Sequence, residues 1–255
     1  MPIIKKSKEY IDSYAVNWIR GCPHACTYCY MQAIASRFSL IAAADEWRTP
    51  VPVYADPAAE LARALAGRRT PLTGTTLLAS AHDPAYDSEV AAQTAALVGL
   101  LHQHAPGATV LVLSKAPHNL AGLLPTSTWL GASITALGRS LQEQYEPGAA
   151  DPATRLAALA AHPGPTWISF EPPLPGVFLR ALVPATLAQL PARPWVVLGK
   201  LNYRGADADL RAWAASNHWA TDRDATVAGL QAAGYTASST PAPGTYYVKR
   251  ELAKC

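Results

Sequence analysis

Gly21-Cys22-Pro23-His24-Ala25-Cys26-Thr27-Tyr28-Cys29-Tyr30 holds three of the chain's four cysteines within eight residues. Thiolates spaced C-x3-C-x2-C on one short loop can reach three corners of a [4Fe–4S] cube and leave its fourth iron without a protein ligand. Two other readings stand beside this one. A zinc site would recruit a fourth Cys or His; His24 lies inside the loop, but only one residue separates it from the cysteine on either side, which cramps the geometry. Cys26 and Cys29 alone would form a redox C-x-x-C pair.

The residues around the loop set the fold class. Tyr14-Ala15-Val16-Asn17-Trp18-Ile19 reads as a short strand entering the loop, and Tyr30 to Phe38 as the first helix. A ligand loop at the carboxyl end of a first strand is where α/β folds place their ligands. Trp47 to Tyr54 is broken by proline and reads as a loop. Asp56-Pro57 opens a helix that Gly67 ends. Thr75 to Ser80 is the second strand, followed by the polar turn Ala81-His82-Asp83-Pro84-Ala85-Tyr86-Asp87 and an amphipathic helix from Ser88 to His104. Thr109-Val110-Leu111-Val112-Leu113 has the composition of a strand buried on both faces. Trp129 to Thr135, Trp167 to Phe170 and Trp195 to Gly199 supply three more strands. A long polar connection follows the first of these, then a helix opened by Asp151-Pro152 and running to His162. Six apolar strands separated by helical segments predict parallel βα units in a sheet or open barrel. The tail reads as two helices over 207–233 and a closing strand, Tyr246-Tyr247-Val248-Lys249-Arg250.

The predicted strands hand over to polar residues at their carboxyl ends: Ser80, His82 and Asp83, then Lys115, Ser133 and Thr135, Glu171, and Asn202. Parallel strands would bring these residues to one rim around the cysteine loop, as a binding pocket requires.

Cys22, Cys26 and Cys29, with Tyr28 just before the last cysteine, resemble the signature of radical S-adenosylmethionine (SAM) enzymes. Leu111 to Lys115, Trp129 to Ser133, Tyr145-Glu146-Pro147-Gly148 with Arg155, and Ser169-Phe170-Glu171-Pro172 resemble the spore photoproduct lyase-like branch of that superfamily. The likeness runs from about Tyr14 to Asn202. It implies a partial (β/α)6 barrel over 14–206, preceded by a polar arm (1–13) and followed by a helical and strand extension (207–255). It also implies a [4Fe–4S] cluster on the three cysteines, with SAM on the open iron. Reductive cleavage of SAM would then give a 5′-deoxyadenosyl radical that takes hydrogen from a substrate. Lys115 suits the carboxylate of SAM, and Glu171 its amino group or ribose hydroxyls. Ser133 and Ser80 are neutral donors and acceptors, His82 joins the set, and the backbone beside Tyr28 could meet the adenine edge. The branch points to a nucleic-acid base or nucleoside as substrate and to flavodoxin or ferredoxin as reductant. A peptide or small metabolite is the alternative substrate. A non-catalytic iron–sulfur or zinc module is the alternative of another class. In one respect the chain departs from its branch: spore photoproduct lyases draw a hydrogen atom from a cysteine in the loop after the second strand, and Leu78-Ala79-Ser80-Ala81-His82-Asp83 contains none. Cys255 is the other thiol, and as the final residue it reads as a mobile chain end rather than a donor.

Composition agrees with a folded enzyme. Half of the 255 residues are apolar and 15% are charged. The formal charge of +3 is too small to argue for a nucleic-acid partner by itself. Lys5, Lys6 and Lys8 read as a solvated arm. Nothing at the N-terminus resembles a signal peptide and no apolar run approaches a membrane helix, so a cytoplasmic protein without a membrane partner is expected. Cysteine usage is not that of a secreted disulfide framework.

Overall fold

The computed structural model describes residues 2–7, 13–201 and 207–250. In chain order the strands are β1 (Ile4–Ser7), β2 (Ser13–Val16), β3 (Ile19–Arg20), β4 (Val51–Pro52), β5 (Gly74–Leu78), β6 (Ala108–Ser114), β7 (Trp129–Ser133), β8 (Thr166–Phe170), β9 (Trp195–Leu198), β10 (Thr236–Ala237) and β11 (Thr245–Val248). The helices are α1 (Tyr30–Arg37), α2 (Ala44–Trp47), α3 (Pro57–Ala66), α4 (Ser88–His104), α5 (Arg139–Tyr145), α6 (Pro152–Ala161), α7 (Leu179–Leu187), α8 (Ala208–Ala215) and α9 (Trp219–Ala232).

Six of these strands, β2, β5, β6, β7, β8 and β9, lie side by side in sequence order and all run parallel. Each crossover therefore moves one strand along in the same direction, and the sheet curls into the partial (β/α)6 barrel that the sequence predicts. The tail extends it, since β11 pairs in parallel with β9, and β10 with β11. At the other edge the expected polar arm forms β1, antiparallel to β2 with Lys5 opposite Ala15; Lys6 is exposed as expected, Lys5 is half-buried rather than solvated, and Lys8 lies outside the described residues.

Helix starts follow local chemistry. Asp56, Asp87, Asp151 and Asp207 each accept a hydrogen bond from the backbone N–H three residues on, opening α3, α4, α6 and α8. Such a cap stabilises a helix by about 1 kcal/mol. The expected second strand stops at Leu78 because Ala79 turns into the left-handed region at φ 60°. The expected loop over 47–54 contains β4, which pairs with β3, and follows the short helix α2. The long polar connection holds α5. The first strand is split in two: β2 ends at Val16 and β3 begins at Ile19.

Side chains on the inner face form a floor. Leu113, Gly131, Trp167 and Trp195 lie in one register row across β6 to β9. Trp167 fills the space above Gly131 so completely that a Cβ there would sit 2.4 Å from its indole. Trp129, Leu77, Leu111 and Val197 complete this inner cluster, separate from the larger core between sheet and helices. The next row toward the carboxyl ends reads Ser133, Ser169, Val197 and Tyr247. Bulky indoles below and small hydroxyls above leave room for a pocket at the rim where ligands are expected. Among the described residues no helix is long and apolar enough to cross a membrane.

Candidate active site

A cavity of about 410 Å³ opens at that rim. Cys22, Cys26, Tyr28, Cys29, Ser80, His82, Lys115, Ser133 and Glu171 all line it, so every described residue expected to bind a cofactor is brought to one place. Thr135 is buried outside the lining. Asn202 and Cys255 lie outside the described residues.

The cysteine loop is clamped from two sides. Gly21, at φ 97°, passes so close to α2 that a Cβ would meet the Trp47 carbonyl oxygen at 2.7 Å, and the Cys22 N–H donates to that same oxygen at 2.8 Å. On the other side the Thr27 N–H donates to Tyr145 O at 3.0 Å and the Gly148 N–H to His24 O at 3.0 Å. Ala25 takes the left-handed conformation at φ 53°, which turns the chain between the first two cysteines. The Cys29 N–H donates to Cys26 O at 3.1 Å, and α1 begins at the next residue.

Two buried carboxylates hold this arrangement to the barrel. Asp83 accepts from the Ala85 N–H (2.9 Å) and the Ser114 hydroxyl (2.7 Å) on Oδ1, and from the Lys115 N–H (2.6 Å) on Oδ2. His24 Nε2 lies 3.1 Å from Oδ2, while its Nδ1 is 2.8 Å from Gly148 O. Burial alone would push the Asp83 carboxyl up, but His24 and the N–H and hydroxyl donors hold it well below the usual carboxylate range.

Glu146 is the second. It takes the Tyr28 hydroxyl on Oε1, Arg155 Nη2 on Oε2 at 2.6 Å, and Lys115 Nζ at 3.6 Å. Burial opposes ionisation of both Glu146 and Lys115, and their mutual attraction, with Arg155 on the carboxylate, overrides it in each case. Lys115 therefore does not stand at its strand end without a countercharge; it faces the cavity from a carboxylate that holds it in place.

Burial pushes the Cys22 thiol up to about 12, with Asp83 adding to the effect, and burial raises Cys26 well above its ordinary value against the pull of Lys115. A bound metal cation would favour the thiolate form of these two. Among the described residues no three His, Cys, Asp or Glu side chains converge as a single-ion site would require. His24 has both ring nitrogens turned to protein oxygens. A cubane offers a separate iron to each thiolate, so its ligands need not meet at one point. The loop therefore fits a multi-iron cluster better than zinc. His82, stacked edge-on against Trp18 at 4.5 Å, forms no well-made hydrogen bond through either nitrogen. Burial lowers its pKa to about 3, against the opposing influence of Asp83 and the nearby Ile19 backbone.

Sequence reasoning missed two lysines in the wall. Lys200 follows the sixth apolar run directly and had a signal of position. Lys249 sits just beyond β11, and only the pairing of β11 with β9 brings it to the cavity.

No family model matches the chain, and no curated protein matches its sequence. Solved structures do. A spore photoproduct lyase complexed with dinucleoside spore photoproduct superposes with a TM-score of 0.65 at 14% identity, covering 96% of this chain and 81% of that one. A double mutant of spore photoproduct lyase with AdoMet and the dinucleoside bound gives 0.64 at 14% identity, over 92% and 75%. Across nearly its whole length, the chain has the fold of spore photoproduct lyase.

Proposed function

We propose that the chain is a radical SAM enzyme acting on a nucleic-acid base or nucleoside. The observation that carries this reading is one cavity, on a spore photoproduct lyase fold, lined by the three cysteines together with Lys115, Ser133 and Glu171. Cys22, Cys26 and Cys29 would hold a [4Fe–4S] cluster. With SAM bound, that cluster supplies reductive cleavage of the cosubstrate and a hydrogen-abstracting radical. The protein's own part is placement. Lys115 offers an ammonium to a carboxylate from a fixed position, because Glu146 sets where its Nζ sits. Glu171 offers an anion to an amino group or ribose hydroxyls, and Ser133 and Ser80 offer neutral hydrogen bonds. The indole floor of Trp167 and Trp195 closes the barrel against water from below, which protects a reactive species.

The substrate class is supported by the dinucleoside that the structural neighbours hold. The loop from Ser80 to Asp83 carries a buried histidine and carboxylate where that branch places a donor cysteine, so hydrogen return to the product would follow another route. A one-electron donor such as flavodoxin or ferredoxin completes the scheme. Anaerobic reconstitution with iron, sulfide, dithionite and SAM, followed by chromatography, should yield 5′-deoxyadenosine. A protein with a full cluster that forms none would refute the proposal.

A further inference from the structure

Glu171, Gly199 and Lys249 stand in a row, one residue beyond the ends of β8, β9 and β11. The register runs Phe170 to Leu198 to Val248. The ladder then continues, with the Gly199 N–H donating to Phe170 O at 3.4 Å and the Lys249 N–H to Leu198 O at 2.9 Å. Because β9 lies between the other two strands, a side chain from position 249 reaches position 171 only by passing over residue 199. Lys249 makes that crossing. Its Nζ is 2.7 Å from Glu171 Oε2, both side chains are largely buried, and both line the cavity. A Cβ at position 199 would sit 2.7 Å from the Glu171 Cδ and Oε1. The glycine is the gap through which the pair forms.

We infer that Lys249 is a positioning residue for the cosubstrate: across Gly199 it fixes the Glu171 carboxylate toward SAM, which makes the tail strand β11 part of the site. The inference rests on the radical SAM reading above. A glutamate free to rotate would lose side-chain entropy each time it engaged a ligand, and an ion pair formed beforehand removes that cost from binding. The Ser169 hydroxyl, 3.4 Å from the same Oε2, narrows the choice of rotamer further. Lys115 is tied to Glu146 instead, so each of these two cavity lysines has its own carboxylate and their roles are separable.

The test uses the full chain, reconstituted anaerobically, with iron and sulfide content, thermal midpoint without SAM, and SAM affinity by equilibrium dialysis measured for each variant. Lys249→Met should keep the cluster and bind SAM about tenfold more weakly, as expected for loss of one charge-assisted contact. Lys249→Arg should recover most of that loss. In a Glu171→Gln background, Lys249→Met should add little, because the lysine acts only through the carboxylate. Gly199→Ala leaves both charges in place and forces them apart, so it should weaken SAM binding likewise; it also serves if Lys249→Met melts too early to assay. Wild-type protein that binds SAM while Lys249→Met or Gly199→Ala binds it equally well would overturn this inference alone. So would a Lys249→Met loss that is undiminished in Glu171→Gln. Wild-type protein with a full cluster that binds no SAM would overturn the radical SAM reading and this inference with it.

Discussion

The Tyr28 hydroxyl donates to Oε1 of Glu146, a carboxylate with no exposed surface, and so joins the cysteine loop to a residue 118 positions away. Arg155 holds the other oxygen from α6 and also donates to the Ser133 and Ala150 carbonyls. Three parts of the site, the cysteine loop, the fourth parallel strand and the Lys115 ammonium, are thus fixed by one buried anion. Glu146→Ala would leave Arg155 as a buried charge without its partner, and a loss of about 3–5 kcal/mol is expected. Tyr28→Phe removes one hydrogen bond to a charged group and should cost about 1–3 kcal/mol. Urea unfolding of both variants checks the order; equal, small losses would show that the anion is not the joint.

Replacing any one of Cys22, Cys26 or Cys29 with Ala should abolish the cluster and SAM cleavage together, since two thiolates hold a cube poorly. Cys255→Ala should leave both intact. Visible absorbance and iron content decide the matter: loss of the cluster in the Cys255 variant would make the fourth thiol a ligand and close the open iron.

Lys115→Ala should keep the cluster and weaken SAM binding by about 1.5–3 kcal/mol, the value of one hydrogen bond to a charged group. Glu146 retains Arg155 in this variant, so the loop should stay anchored. Titration of SAM into the reduced protein, followed by electron paramagnetic resonance, gives the affinity. An unchanged value would turn Lys115 away from the cosubstrate and toward the substrate.

What the sequence made legible was local. α3 was readable to the residue because Asp56-Pro57 and Gly67 punctuate it, α4 because an amphipathic run follows a polar turn, and the six parallel strands because apolar runs alternate with helical segments. The convergence of Ser80, His82, Lys115, Ser133 and Glu171 followed from strand direction alone. Short pairings were not legible. β4 contains a proline and no alternation, and its existence depends on β3 beside it. The partners of Lys115 and Lys249 were hidden for a related reason: an ion pair between residues far apart leaves no pattern at either end. The sixth strand predicted a polar group at its carboxyl end, but the lysine that reaches Glu171 comes from the tail, through a glycine whose role appears only when its neighbours are in place.

His82 should make stability sensitive to mild acid. Its folded pKa is lowered from 6.5 to about 3, with burial as the main cause. Between those values the unfolded chain binds a proton that the folded chain refuses, so stability is fully present above about 6.5 and is lost as pH falls toward the folded pKa. The slope approaches ~1.4 kcal/mol per pH unit, or about 2 kcal/mol between pH 7 and pH 5. Glu146 and Asp83 have lowered pKa values and remain ionised across this window, contributing their own loss only at lower pH. His102 and His218 are also lowered by burial and share the window, so the contrast with a variant is what isolates His82. His82→Phe keeps an aromatic ring against Trp18 and removes the titrating group. Urea unfolding at the two pH values should then show a smaller loss in the variant than in the wild type, by about 2 kcal/mol. The same loss in both proteins would mean that His82 takes up its proton in the folded chain at ordinary pH and finds a partner in the cavity wall.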